Sequence, residues 1–380
     1  MDFGLTEEEK DIRGAAREFA EKEFPDRARE CDLNDEFPRD IWKKACDLGF
    51  VAPYVPEEYN GAGIGYMGTC IIVEECTRFD PGIGGIPMMI ALGSEVVMLY
   101  GTEEEKEKYL SKIPTGENIC CFAVTEPDAG SDVAGIKTTA VKDGDEWVLN
   151  GSKMFITNGT IADWGIFLAI TDPDEKKVHR RFSTFIVDMD KAGVNATKIR
   201  GKMGLKASDT ADISLSDVRV PEENLLGERR RGFYNVMGFF DRSRVYIGAM
   251  GVGIAQGALD LALKYAKERK TFGKPLASNQ GIQFELADMK TRVEASRNLV
   301  YKGAWATDNG IATPMDVAIA KWYACESAVK NCDQSLQIHG GYGYIDEYDI
   351  ERFYRAAKVT EIFEGAKQIE KMIIARGLLA

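Results

Sequence analysis

The chain is 380 residues long, 44% hydrophobic and 29% charged, the balance of an ordinary soluble globular protein. That length allows two or three structural units and a large core without help from metals or disulfides. Its 48 basic and 61 acidic residues leave a net charge of −13, which disfavours nucleic acid or an anionic membrane as partner but leaves a locally held phosphate ligand open.

Residues 1–117 read as a helical domain. At its start, "MDFGLTEEEKD" is acidic, unlike a signal or transit peptide. Thr6 with Glu9 makes a capping box ahead of Ile12, Ala15, Ala16 and Phe19 at helical spacing. Thr102 with Glu105 repeats the device, and the acidic run 103–107 reads as a solvated helix face. Between them "VAPYVPEEYNGAGIGYMG", residues 51–68, reads as a long connection.

Residues 118–228 carry strand signals and should form an antiparallel β domain, a small barrel or sandwich. In "DEWVLNGSKMFIT" the Asn150-Gly151 pair predicts a hairpin turn. "WGIFLAIT", "FSTFIVDM" and "ADISLSDVRVP" read as further strands.

From 229 to 380 helical spacing returns. Long helices are expected over roughly 233–268 and 280–308, a third from Thr313-Pro314, and a last one from near 366. Their Ala-, Gly- and Leu-rich faces predict a four-helix bundle with partner subunits. The order helices, strands, helices makes the fold class α+β. No βαβ alternation supports a Rossmann unit. No run of about 18 apolar residues predicts a membrane span. Cys31, Cys46, Cys70, Cys76, Cys120, Cys121, Cys325 and Cys332 form no CxxC pair and no metal-type set with His179 or His339. Reduced, buried thiols in a cytoplasmic protein follow, and no metal is expected.

Four stretches could carry chemistry. "FAVTEPDAGSD", residues 122–132, offers hydroxyls and small residues for close backbone approach, and equally suits a turn-rich strand end. In "GSKMFITNG" Phe155 and Thr157 share a strand face able to support a flat heterocycle, or simply a half-buried surface. Arg269, Lys270 and Lys274 surround a Gly-Pro break, either a diphosphate clamp or an exposed basic helix end. "QSLQIHGGYGY" can bring backbone N–H groups to a ligand, with His339 read as a structural side chain. Just beyond, Glu364 sits between Phe363 and Gly365, apolar company for a group that takes a proton.

"VTEPDAGSD", "KMFITNG", "ERKTFGKPL", "QIHGGYGY" and "IFEGAKQI" occur together in one order and spacing, and through them the chain resembles the flavin-dependent acyl-CoA dehydrogenases over essentially its whole length. The resemblance implies an N-terminal helical domain, a middle β-barrel domain and a C-terminal four-helix bundle. It also implies a homotetramer with one FAD per subunit and an electron-transferring flavoprotein as electron acceptor.

By that resemblance Glu364 is the base that removes the α-proton of an acyl-CoA thioester while the β-hydrogen leaves as hydride to flavin N5. Desolvation raises the basicity of such a carboxylate. Donors at the thioester oxygen, the Glu364 N–H and a ribityl hydroxyl, stabilise the enolate-like charge. The flavin would lie against residues 122–131, including Phe122, Val124, Thr125, Gly130 and Ser131, and against Phe155, Ile156 and Thr157; Phe155 replaces a frequent Trp. Arg269, Thr271, Phe272, Gln280, Gln337, Gly340 and Gly341 would hold the diphosphate and adenine of a neighbouring subunit's FAD, and Gln368 would contribute. Ala366 departs from a frequent Thr, so one hydroxyl contact is missing or replaced.

Ser131, Asp241, Arg244 and Gly365 are the implied thioester contacts. Some branches carry their base at the position of Ser243, where serine cannot serve. Residues 82–99, with Met88 and Ile90, should line the acyl end. The absence of Arg and Lys there disfavours dicarboxylic thioesters. A short, branched or alicyclic acyl-CoA is expected, a cyclohexane-type one included. The same scaffold could run as an enoyl-CoA reductase or an acyl-CoA oxidase, or serve as a non-catalytic CoA-binding protein.

Overall fold

In the computed structural model, which describes residues 4–379, α1 (Glu7–Glu23) starts where its capping box predicts. The Glu9 N–H donates to the Thr6 hydroxyl at 3.2 Å and the Thr6 N–H to the Glu9 carboxylate at 2.8 Å. The helical region continues through α2 (Pro25–Asn34), α3 (Arg39–Asp47), α4 (Gly65–Phe79), α5 (Pro81–Gly84), α6 (Ile86–Met89), α7 (Ser94–Tyr100) and α8 (Glu103–Glu105). The Thr102 box caps α8, which runs on into a π-helical turn over Lys106–Leu110.

The connection expected over 51–68 ends four residues early, because α4 already begins at Gly65. Its N-cap comes from far along the chain. The Asp308 carboxylate accepts from the Tyr66 and Met67 N–H groups at 2.7 and 2.9 Å, a cap invisible to local sequence.

The β domain contains β1 (Cys120–Ala123), β2 (Thr139–Asp143), β3 (Glu146–Thr157), β4 (Trp164–Ile170), β5 (Phe182–Asp188), β6 (Val194–Lys198), β7 (Thr210–Pro221) and β8 (Leu225–Leu226). They form one sheet in the order β6-β7-β3-β2-β4-β5-β8, with β1 also on β4. The sheet is mixed rather than wholly antiparallel, since β1 runs parallel to β4 and β2 makes one parallel pairing with it. The β2–β3 hairpin lies inside the β1-to-β4 connection and gives it the length a parallel pair requires. The end strands β6 and β8 are not paired with each other.

Asn150-Gly151 is not the hairpin turn. The chain turns at Gly144 (φ 61°), between Asp143 and Glu146, while β3 runs straight through Asn150. There it bulges against β7. Asn150 exchanges side-chain hydrogen bonds with Asp217 at 3.0 and 2.8 Å, and a Cβ on Gly151 would fall 2.4 Å from the Thr138 hydroxyl.

The C-terminal region opens with α9 (Gly232–Glu268), followed by the short strands β9 (Lys270–Thr271) and β10 (Lys274–Pro275), then α10 (Gln280–Asp308) and α11 (Pro314–His339). Thr313 caps α11 with a full capping box. Two helices close the chain, α12 (Ile350–Thr360) and α13 (Lys367–Leu379). The sequence reading missed α12, although Ile350, Phe353, Ala356, Ala357 and Thr360 form its buried face.

Among the described helices α9 is long and apolar enough to cross a membrane by composition, but it forms the bundle's centre, packed by α4, α10 and α11. One hydrophobic core runs through both helical regions, a second fills the β domain, and a third joins Val124, Leu168 and Phe182 to Val236 of α9. That third core sets the β domain on the N-terminal half of α9. All eight cysteines are buried and unpaired.

Candidate active site

Glu364 lies in the turn between α12 and α13, with φ +51°, and Gly365 follows at φ +107°. A non-glycine residue in the left-handed region costs about 1 kcal/mol or more and needs outside support. Lys321, fully buried on α11, supplies it by donating to the carbonyls of Phe363 at 2.9 Å and of Gly365. A Cβ at 365 would sit 2.1 Å from Glu370 Oε1, so glycine is required there.

On α9 the Ser243 hydroxyl donates to Glu364 Oε2 at 3.3 Å. Burial pushes the Glu364 carboxyl up to about 7, against the opposing pull of Lys321, Arg244 and Ser243. Its backbone N–H has no protein acceptor among the described residues. A proton-accepting carboxyl and a free N–H donor therefore occupy one residue.

Arg244 and Glu370 lie close to Glu364. Arg244 Nε stands 3.1 Å from Glu370 Oε1, and its Nη1 lies 3.4 Å from Asp241. Glu370 is fully buried on α13, and neither oxygen has a well-aligned hydrogen bond. Desolvation raises its carboxyl to about 7. The implied thioester contacts Asp241, Arg244 and Gly365 are thus gathered around Glu364, whereas Ser131 is exposed on the β domain.

The first set of flavin residues meets on the β domain facing α9. Phe122 packs its ring on Phe239 and Phe240 at 4.7 and 6.1 Å. Lys153, fully buried on β3, donates to the Val124 carbonyl at 3.1 Å and pairs with Glu126 at 2.9 Å. The Met154 N–H donates to the Thr125 carbonyl at 2.9 Å. These bonds fasten the stretch 122–131 to the strand carrying Phe155 and Thr157. Phe155 is 60% exposed at φ +60°, an aromatic face left uncovered by the chain, and Gly130 has open space beside it. Ile156 is the exception, for its side chain is buried in the β-domain core. Alternation turns it away from the face of Phe155 and Thr157, so only its backbone is available to a ligand.

The second set lies elsewhere. Arg269, Thr271, Gly340 and Gly341 line one cavity of about 520 Å³ with Tyr265 and Tyr342. Gly340 and Gly341 face open space, and Phe272, Gln280 and Gln337 are exposed. At 1.5 Å per residue, Arg269 stands roughly 40 Å along α9 from Ser243 and the base, beyond the span of one dinucleotide. His339 is structural, as expected: its Nδ1 lies 2.7 Å from the Ser335 carbonyl and its ring stacks on Tyr265.

The stretch 82–99, expected to line the acyl end, holds a residue the sequence reading passed over. Ile90, expected to line the acyl end, is buried in the helical core, and the side chain of Met88 lies outside the described residues. Glu95, however, is also fully buried, with hydrogen bonds from the Tyr66 and Tyr246 hydroxyls. Lys153, Lys321 and Glu370 were missed likewise, being charged residues whose burial no local pattern reveals.

The donor set fits FAD. It offers an exposed aromatic face beside hydroxyls, and separately a guanidinium beside two open glycines for a diphosphate. Family models agree with this arrangement: the acyl-CoA dehydrogenase N-terminal domain matches residues 6–117, the middle domain 121–218 and the C-terminal domain 230–379. The chain is 43% identical to the 3-(aryl)acrylate reductase of Clostridium sporogenes, over 99% of each. It is 44% identical, again over 99% of each, to the caffeyl-CoA reductase–Etf complex subunit CarC of Acetobacterium woodii. Butyryl-CoA dehydrogenase of Megasphaera elsdenii superposes with a TM-score of 0.96 at 37% identity, covering 100% of both chains. The chain belongs to the FAD-dependent acyl-CoA dehydrogenase family, oxidoreductases acting on the CH–CH bond of acyl-CoA thioesters.

Proposed function

We propose that the protein interconverts an acyl-CoA and its 2,3-enoyl-CoA, with Glu364 moving the α-proton. The observation that carries this reading is Glu364 itself, its carboxyl raised to about 7, in a turn whose flanking carbonyls are held by Lys321, with its own N–H free. The carboxylate takes the α-proton in the oxidative direction, and the carboxylic acid returns it in the reductive one. The free N–H, aimed at the thioester oxygen, stabilises the charge that develops there. FAD, when bound, supplies the hydride acceptor or donor for the β-carbon. Residues 122–131, Phe155 and Thr157 would hold its ring, while Arg269, Thr271, Phe272, Gln280, Gln337, Gly340 and Gly341 of a neighbouring copy would hold its far end, with Ala366 and Gln368 beside the base.

The wall at 82–99 supports a compact acyl group, short, branched or alicyclic, a cyclohexane-type ring among them. The roughly 40 Å between the two halves of the cofactor set, together with exposed Phe272, Phe284 and Trp305, supports a homotetramer. Eight buried free thiols are consistent with the cytoplasm. An electron-transferring flavoprotein is the proposed electron partner.

A second reading has the enzyme work as an enoyl-CoA reductase. Two relatives at 43–44% identity are named as reductases, one of them as part of a complex with such a flavoprotein. Anaerobic mixing of the oxidised protein with saturated thioesters, and of the reduced protein with enoyl thioesters, tests both directions at the flavin band near 450 nm. Bleaching by no saturated thioester and reoxidation by no enoyl thioester would reject the reading.

A further inference from the structure

Glu370 is a buried carboxyl beside Glu364 that the proposed proton transfer leaves unused. It stands in the first turn of α13 with no exposed surface, an end of the helix where negative charge is favoured. Neither of its oxygens has a well-aligned hydrogen bond, and nor does the Nε of its neighbour Arg244. An ion pair buried in that way is a weak source of stability. Its presence calls for another reason.

Both partners press on the turn that carries Glu364. A Cβ on Gly365 would lie 2.1 Å from Glu370 Oε1 and 3.3 Å from Arg244 Nε, and those two atoms stand 3.1 Å apart. One residue back on α9, the Ser243 hydroxyl reaches Glu364 Oε2 at 3.3 Å. Arg244 thus neighbours Glu364 both along α9 and across the turn. Yet among the described residues Glu364 forms no ion pair. The guanidinium is engaged elsewhere. Its Nε faces Glu370, its Nη1 lies 3.4 Å from Asp241, and its Cζ lies over the Phe240 ring, 5.6 Å from the centroid.

A guanidinium paired directly with Glu364 would stabilise the ionised carboxylate and weaken it as a proton acceptor. Asp241 is partly exposed and solvent screens its pull. Glu370 is fully buried, where an opposite charge acts more strongly. Resting on the acyl-CoA reading above, we propose that Glu370 is a positioning residue, the counter-ion that keeps Arg244 off Glu364 and so leaves Glu364 basic enough to take a proton from carbon. The groups that face Glu364 are Ser243, Arg244 and Tyr246 on α9, Lys321 on α11, Glu370 on α13 and Glu95 on α7. Lys321 donates to the two carbonyls of the turn. Arg244 is therefore the cation whose placement Glu370 sets.

The test is a double-variant cycle read as a pH profile. FAD-loaded protein is mixed anaerobically, between about pH 5 and 9, with the thioester that changes its flavin spectrum fastest, and the pH midpoint of kcat/KM is taken. Glu370→Gln is expected to move the midpoint acid-ward by about half a unit or more, and Arg244→Gln to move it alkaline-ward. The variant carrying both should return near the unmodified value. Lost packing alone would slow the reaction without these opposite shifts. A midpoint in Glu370→Gln that stays put or rises overturns the proposal. So does a double variant that stays as acid-shifted as Glu370→Gln, since Arg244 would then not carry the effect. If Glu370→Gln does not fold, Glu370→Met is read the same way. If no thioester alters the flavin spectrum of the unmodified protein, butyryl-CoA and crotonyl-CoA included, the acyl-CoA reading fails and this inference with it. A clear thioester response with an unmoved midpoint rejects this inference alone.

Discussion

The Lys321 ammonium donates to the Phe363 carbonyl at 2.9 Å, one residue before Glu364, and also holds the Gly365 carbonyl one residue after it. Lys321→Met leaves both carbonyls in buried surroundings without their donor. A stability loss of about 2–5 kcal/mol is expected from denaturant unfolding. With the turn loosened, kcat should fall by about tenfold or more while thioester affinity changes little. An unchanged kcat would show that the turn holds its shape unaided.

Glu370 takes up part of the Arg244 charge at 3.1 Å. Glu370→Gln releases that guanidinium to act on Glu364 and removes a neighbouring negative group, both of which favour ionised Glu364. The pH midpoint of kcat/KM is expected to move acid-ward by about half a unit or more. A midpoint that stays put or moves alkaline would argue against this role.

For Glu364 itself the sign depends on direction. Its carboxyl titrates at about 7, so oxidation of an acyl thioester should speed up as pH rises through that value and the carboxylate forms. Reduction of an enoyl thioester should slow over the same range as the acid form is lost. Glu364→Gln should retain the flavin spectrum yet lose about a thousandfold or more in bleaching rate by substrate. Near-full activity in that variant would mean that another group is the base.

Glu95 carries a cost that stability measurements can read. Its folded-state carboxyl is raised to about 7 by burial, above its unfolded value. Between about pH 4.5 and 7 the folded chain therefore binds more protons than the unfolded one, and stability falls as pH rises. Glu364 and Glu370 contribute with the same sign. Glu95→Gln should flatten this decline by up to about 3 kcal/mol, seen as a smaller stability difference between pH 5 and pH 8. An equally steep decline would place the Glu95 carboxyl outside that window.

Lys153 and Glu126 fasten the proposed flavin segment to β3 with both side chains buried. Removing the cation alone, as in Lys153→Met, leaves a buried carboxylate and frees the Val124 carbonyl. A loss of about 3–5 kcal/mol in stability is expected, along with weaker FAD retention on gel filtration, measured by the 450 nm to 280 nm absorbance ratio. Full retention of flavin would mean that the Thr125–Met154 backbone bond suffices.

What the sequence made legible was whatever repeats or caps locally. The boxes at Thr6, Thr102 and Thr313 and the span of α10 were readable because their causes lie within a few residues. Glu364 was marked out by its motif, but of the apolar neighbours beside it Ile362 is exposed and Phe363 only half-buried. Distant partners decided the rest. Asp308 starts α4 from 242 residues away. Asn150-Gly151, a strong turn signal taken alone, becomes a bulge because Asp217 of β7 captures the Asn150 side chain. Lys153, Lys321, Glu370 and Glu95 look like surface charges in one dimension, and only the folded chain shows what surrounds them.

The steric lock at Gly365 also limits how this centre can evolve. Since Gly365 holds φ +107° and a Cβ there would lie 2.1 Å from Glu370 Oε1, a side chain at 365 is strained, and moving the proposed proton-handling carboxyl one place along the turn by single substitution is disfavoured. Relocating it would demand a simultaneous change on the final helix, or a jump to a different helix altogether.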